Sequence, residues 1–360
     1  MSRRVFVHIG LPKTGTSYLQ AIVWPGRDRL REAGLLLPGA RKSDHLLSSL
    51  IVRDDPGIAR RGPGAAGAWD RVRADVAGWS GDALVSHEFY CAASQEQAAR
   101  MVAQLAPAEV HVVITAREPL GLFTSSWQES LKNKSTTRLA DYGRSESDDP
   151  RAVWDWRSLD LGLVLDRWAP AVPPEQVHVL TPPPSGSARE MLWERFAGVL
   201  GIDPATCDAS RGFANASMGV VEAETLRRVN ERLTGFDTAR ARGMWLRSFL
   251  ADERLVPREG EPFWPADDQV ADARARGERA VERLRAASYD VVGDLDLLRV
   301  PEDLPPRRHL DSVTDAEVAE VAVDLVATLM GDLKRRADRT ARPGKPPSRL
   351  TRLRQALRGT

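Results

Sequence analysis

Arg4-Val5-Phe6-Val7-His8-Ile9-Gly10-Leu11-Pro12-Lys13-Thr14-Gly15-Thr16-Ser17 is the stretch on which the fold turns. Residues 5–9 are a short, nearly continuous apolar run, the pattern of a strand covered on both faces. A glycine-bearing turn follows, and a helix is predicted from about Thr16 until Pro25 interrupts it. Such a strand, turn and helix make an anion cradle: backbone amides and the helix N-terminus point at one place. Gly15 permits close backbone approach, and Thr16 and Ser17 can donate hydroxyl hydrogen bonds. Lys13 adds a mobile positive charge. The order is not that of a Walker A loop, GxxxxGK[ST], because the lysine precedes the glycine. The alternative is a bare strand-to-helix turn with an exposed lysine; placement after the first strand favours the cradle.

Outward from this loop, residues 83–87, 110–115 and Val177–Leu180 read as three further strands. Gln95–Leu105 has a helical pattern, and Leu120, Phe123, Trp127 and Leu131 mark the apolar face of another helix opened by Pro119. Residues 54–67, rich in Gly and Pro, read as a loop. Strands alternating with helices predict an α/β class: a central parallel sheet with helices on both faces. Ligands of such sheets sit beyond the carboxyl ends of the strands. The loop after Ile9, residues 86–89 and the segment from Arg117 all fall there.

The second half reads as mostly helical. Val318, Val321, Leu325 and Leu329 repeat at helical spacing after Ser312, a predicted N-cap with Asp315 three residues on. The expected organisation is one domain over 1–335, with a nucleotide-binding core at 4–205 and a helical part at 215–335. Residues 336–360 then form a basic tail carrying Pro343, Pro346 and Pro347. Its Leu350, Leu353 and Leu357 lie at helical spacing among arginines, which would suit an anionic membrane surface. A solvated tail is the preferred reading.

At 360 residues the chain can bury a full core. Its 51 basic and 50 acidic residues leave a net charge of +1, so no global field argues for nucleic acid. Cys91 and Cys207 read as two buried thiols, and no Cys/His cluster predicts a metal site. The N-terminal apolar run is too short for a signal peptide, and no stretch reaches bilayer length; the expectation is cytoplasmic.

Pro12-Lys13-Thr14-Gly15-Thr16-Ser17 after an apolar strand resembles the 5′-phosphosulfate loop of sulfotransferases that use 3′-phosphoadenylyl sulfate (PAPS). The resemblance is to bacterial members and implies a three-layer, P-loop-like fold, with PAPS as co-substrate and no metal. It also implies a 3′-phosphate site, an arginine ending a later strand and a serine on the next helix. Ile114-Thr115-Ala116-Arg117-Glu118-Pro119 with Ser125 matches, at a separation of 125 − 117 = 8. Arg117 offers a planar fork suited to a terminal phosphate. Alone, Arg117 would read as an ion-pair partner of Glu118; beside the lysine loop, the phosphate role is preferred. Residues 177–184, 192–203, 213–217 and 289–295 also resemble segments of bacterial members. No Arg-Lys-Gly segment like that of cytosolic animal members is present.

The family takes the acceptor's proton with a Glu or His at the end of the second strand. Ser86-His87-Glu88-Phe89 offers both; Glu88 is preferred and His87 is the alternative. The implied catalytic pair is Lys13 and Glu88, with Lys13, Thr14, Gly15, Thr16, Ser17, Arg117 and Ser125 holding PAPS. His8 reads as a satisfied core histidine, and His45 as a candidate for lining an acceptor pocket. Lys132 and Lys134 are candidates to meet an anionic acceptor. Trp154, Trp156 and Trp168 read as core anchors. The acceptor hydroxyl is left open among sugars, glycolipids and small natural products, with loops 40–70 and 132–160 as its selectors. An atypical nucleotide-dependent kinase and a non-catalytic nucleotide-binding protein are the rival readings.

Overall fold

Residues 5–9 alternate between two apolar layers, and this sets the architecture. In the computed structural model, which describes residues 2–149, 151–183, 186–188, 190–211 and 217–341, they form the centre of strand β1 (Arg4–Gly10). Val5, Val7 and Ile9 enter one buried cluster, shared with Met101 and Leu105 of one helix and Val164, Leu165 and Trp168 of another. Phe6 enters the opposite cluster with Leu19, Ile22, Trp193 and Phe196. Both faces of the strand are therefore buried, which is what its nearly continuous apolar pattern requires.

The chain continues through helices α1 (Thr16–Val23) and α2 (Arg27–Glu32), strand β2 (Leu35–Leu36), α3 (Ser43–Val52) and α4 (Ala68–Ala77). Then come β3 (Asp82–Ser86), α5 (Gln95–Leu105), β4 (Glu109–Thr115), α6 (Pro119–Lys132) and β5 (Val177–Leu180). Two short strands, β6 (Phe263–Trp264) and β8 (Arg308–His309), pair with each other, and β7 (Asp290–Val292) joins the main sheet. That sheet is six-stranded, ordered β2-β3-β1-β4-β5-β7, and every pairing in it is parallel. The predicted α/β class with a central parallel sheet between helical layers is the observed one. The order reverses at β1: the chain leaves it toward β2 and β3, then crosses to β4 and beyond. The loops after β1 and β4 therefore border the crevice where ligands of such sheets bind.

Several boundaries differ from the sequence reading. The third strand ends at Ser86 rather than 87, because His87 accepts a hydrogen bond from the Phe89 amide at 3.1 Å and starts a 3₁₀ turn over Glu88–Ala92. The late helix (Asp315–Ala341) is capped by Thr314 and not by Ser312. Thr314 and Glu317 exchange side-chain and backbone hydrogen bonds, with the Thr314 amide 2.8 Å from the Glu317 carboxylate. That helix runs through position 335, since Lys334-Arg335-Arg336 are good helix formers and the first proline is Pro343. The chain packs as two compact units, one ending at Asp311 and the other starting at Ser312. Most of the basic tail, from 342, and most of the 213–217 segment lie outside the described residues. Among the described residues no helix is long and apolar enough to cross a membrane. Cys91 and Cys207 are buried free thiols.

His8 is the polar exception in the core, and its bonding ties three strands to the loop. Ser86 Oγ donates to His8 Nδ1 (2.9 Å), and His8 Nε2–H donates to Thr115 Oγ1 (3.2 Å). Thr115 then donates to Thr14 Oγ1 (2.6 Å), whose own proton goes to the Leu11 carbonyl (2.6 Å). Thr14 and Thr115 each spend their one proton, so the relay requires a hydrogen at His8 Nε2. Burial pushes the His8 imidazole down to about 3. His45 is held likewise, its Nε2–H on the Pro38 carbonyl (2.8 Å) and its Nδ1 accepting from the Ser86 amide (3.1 Å). Burial takes it down to about 4.

An acid sensitivity follows. Unfolded, both groups titrate near 6.5, so the unfolded chain binds the extra protons below that pH. The stability they contribute is complete above about pH 6.5 and is lost as pH falls toward the folded values. Between about pH 6.5 and 5 the loss is about 2 kcal/mol for each histidine. Urea midpoints are expected to drop between pH 7.5 and 5.0, and to drop less in His8→Gln. Equal midpoints in the wild-type protein would remove the account.

Candidate functional site

The loop from Gly10 to Gly15 turns sharply at the end of β1. Gly10 and Gly15 have φ of 96° and 101°, and Lys13 itself sits at φ 64°, an uncommon conformation for a residue with a side chain. A Cβ on Gly10 would lie 3.0 Å from the Glu88 backbone, so glycine there lets Glu88 pack directly against the loop. The amide of Leu11 bonds the Thr115 carbonyl at 2.6 Å, fastening the loop to β4. Helix α1 begins at Thr16 with Gly15 as its N-cap and no capping side chain, leaving its first amides open to a ligand.

The predicted loop residues divide by role. The Thr14 hydroxyl faces inward, consumed by the His8 relay, so Thr14 can offer an anion only its backbone amide. The Thr16 hydroxyl is buried with no protein partner, an unmet donor beside the open helix end. Ser17 is exposed. Lys13, Gly15, Thr16 and Ser17 line a cavity of about 210 Å³ together with Glu88, Phe89, Glu129, Trp154 and Arg247.

Within this cavity Lys13 Nζ donates to Glu129 Oε2 at 3.1 Å, while Arg247 pairs with Oε1 of the same carboxylate. Glu129 is only 4% exposed. Burial pushes its carboxyl up, but the charges of Lys13 and Arg247 outweigh that and hold it below the usual carboxylate range. Two cations from distant parts of the chain thus meet across one buried acid. Glu88 lines the cavity and His87 does not; His87 Nδ1 is occupied by the Phe89 amide and lies 4.0 Å from Glu88 Oε2. Burial lowers the His87 imidazole as well.

Arg117 and Ser125 are both half-buried, the first just after β4 and the second on α6. Arg117 pairs with Glu118 at 3.3 Å, the partner it would choose as a plain surface residue, and its side chain stays 37% exposed. Glu118 caps α6 by accepting from the Gly121 amide at 2.8 Å, and burial raises its carboxyl. Gly121 has no side chain because Arg117 and Glu118 lie where a Cβ would go. Arg117 therefore rests over Gly121, and Gly121, Ser125 and Glu129 follow at four-residue steps along one stripe of α6. By helix geometry the stripe runs about 12 Å, from Gly121 beside Arg117 to Glu129 beside Lys13.

Other sequence candidates land elsewhere. His45 is buried and doubly bonded, so it lines no pocket; its ring completes the packing under Pro38 and Ser86. Lys132 pairs with Asp252 at 2.5 Å and Lys134 with Asp237 at 3.0 Å; neither lines the cavity that holds Lys13, but Lys134 lines the neighbouring cavity that shares Trp154 with it. Trp156 and Trp168 are core anchors as expected. Trp154 is not: it is half-buried and lines both this cavity and a neighbouring one of about 480 Å³, because Phe89 packs edge-on at 5.9 Å and leaves the rest of the indole uncovered. Glu129, Trp154 and Arg247 are the members of the site that the sequence motifs missed. Among the described residues no group of three or more His, Cys, Asp and Glu side chains is placed to hold a metal.

No protein-family model matches the chain, and no curated protein matches it. A solved structure that resembles it is the crystal structure of a sulfotransferase from Alicyclobacillus acidocaldarius, with 19% identity and a TM-score of 0.40. The likeness covers 59% of this chain and 87% of that one, and is too slight to assign an activity.

Proposed function

We propose that this chain is a PAPS-dependent sulfotransferase that delivers a sulfuryl group to an acceptor hydroxyl. The observation that supports it most is the stripe on α6, whose one end lies beside the Arg117 fork and whose other end pairs with the lysine of the loop. A nucleotide with phosphate at one end and phosphosulfate at the other needs anion sites at both ends of such a surface. The loop fits a phosphosulfate on its own evidence: an uncapped helix start, a buried hydroxyl without a partner and a lysine in the same cavity. Arg117 and Ser125 would hold the 3′-phosphate.

Glu88 would accept the proton of the acceptor hydroxyl as its oxygen bonds to sulfur. The bond from sulfur to the bridging oxygen breaks, and its electron pair leaves with the nucleotide. Lys13 would stabilise the charge gathering on that oxygen. Positioning and charge stabilisation supply most of the acceleration, as in phosphoryl transfer.

The test is calorimetric titration with adenosine 3′,5′-bisphosphate beside ATP, with and without magnesium. Metal-independent binding of the bisphosphate is expected, weakened about 10- to 100-fold in Arg117→Ala, the worth of a charge-assisted phosphate contact. A preference for Mg-ATP would turn the reading toward a kinase, and no binding would end it. Binding without transfer to any acceptor would leave a nucleotide-binding protein.

A further inference from the structure

We infer that Arg247 is a second cation of the transfer site, set against the sulfonate end of the donor by the winding of its own helix and by Glu129. This rests on the sulfotransferase reading above.

Arg247 belongs to the segment Arg242–Leu255, 14 residues wound with i→i+5 hydrogen bonds. Such winding is uncommon and gathers at functional sites. Here it has a local cause. Arg247 pairs with Glu129, and Asp252 pairs with Lys132. On α6 the two partners are three residues apart and share a face. On the segment Arg247 and Asp252 are five apart, and α-winding would turn them about 140° away from each other. The i→i+5 winding brings them back toward one side. Leu246 and Ala251, also five apart, are both buried. The unusual helix thus meets both ion pairs and an apolar anchor together.

The chemistry calls for a second positive charge. A phosphosulfate carries one negative charge on phosphate and one on the sulfonate, and Lys13 is the loop's single cation. A guanidinium presents five donors in a plane, so Arg247 can keep Glu129 on one edge and hold sulfonate oxygens on another. Its side chain is 35% exposed in the cavity wall, accessible to a ligand. Arg247 makes and breaks no bond and moves no proton; it holds the sulfonate while sulfur passes from the bridging oxygen to the acceptor oxygen. Glu129 is a positioning residue, one carboxylate oxygen for each cation.

The test needs no acceptor. Affinities of the full-length protein for PAPS and for adenosine 3′,5′-bisphosphate, which lacks the sulfonate, are measured by calorimetry in wild type, Arg247→Ala, Arg247→Lys and Glu129→Gln. In Arg247→Ala the PAPS affinity is expected to fall about 10- to 100-fold, with bisphosphate affinity changing only a few-fold. Arg247→Lys should recover part of the loss, and Glu129→Gln should shift the same ratio in the same direction. Retained bisphosphate binding shows that each variant is folded. An equal loss for both nucleotides, or no loss, overturns the role of Arg247 while leaving the proposed activity standing. Failure of the wild-type protein to bind either nucleotide overturns both.

Discussion

Lys13→Ala is expected to lower turnover about 1,000-fold, measured as release of adenosine 3′,5′-bisphosphate from PAPS with a hydroxyl acceptor. That corresponds to about 4 kcal/mol of barrier, the worth of one well-placed donor at a site of developing charge. The size follows from the setting. Lys13 stands at a positive φ, on a loop fastened to β4, so its ammonium is carried to the cavity by a constrained backbone. Removing it leaves Glu129 paired with Arg247, so the buried acid is not stranded and the fold should survive. Thermal melting within a few degrees of wild type checks that point. Near-normal turnover in Lys13→Ala would remove the charge stabiliser from the proposed mechanism.

Glu88→Gln is the second large effect, a fall in kcat of about 100- to 10,000-fold, the range of a lost general base. Glutamine keeps the shape that packs on Gly10, so nucleotide affinity should change little. The split between unchanged binding and lost turnover separates a proton acceptor from a structural prop. His87→Asn is the paired control: Asn retains an acceptor near the place of Nδ1 for the Phe89 amide and should keep most activity. The reverse pattern, an active Glu88→Gln and an inactive His87→Asn, would transfer the base role to His87.

The parts of the fold that were legible were those whose residues carry their own signal. Residues 5–9, 110–115 and Val177–Leu180 are nearly continuous apolar runs, each with one histidine, and buried parallel strands have that pattern because both faces are covered. Gln95–Leu105 was readable to its ends, since Ser94 and Gln97 form a complete capping box. The edge strands β2 and β7, two and three residues long, are too short for periodicity to register. Glu129 could have been found by extending the Arg117–Ser125 stripe one more helical turn. Arg247 had no such pointer. It lies far downstream in a polar segment, and its winding obeys a five-residue step that a 3.6-residue search passes over. The spacing of Leu246, Ala251 and Leu255, five and then four, was the trace left in the sequence. Trp154 and His45 show the converse. Residue type suggested core for the indole and offered His45 only as a pocket candidate; Trp154 instead lines the cavity beside Phe89, and hydrogen bonds to Pro38 and Ser86 hold His45 in the interior.

The paired cations on Glu129 also govern what the site refuses. Two positive charges face the Glu129 carboxylate, and Glu88 lines the same cavity, so a free inorganic phosphate or sulfate drifting to the loop meets little net positive charge. In the proposed complex a nucleotide gripped at Arg117 competes on other terms. Its far end is tethered next to the loop, at an effective concentration that no loose ion matches. Glu129 is in that sense a filter, an internal counter-ion that stays on both cations and leaves too little net charge to hold an anion anchored only once.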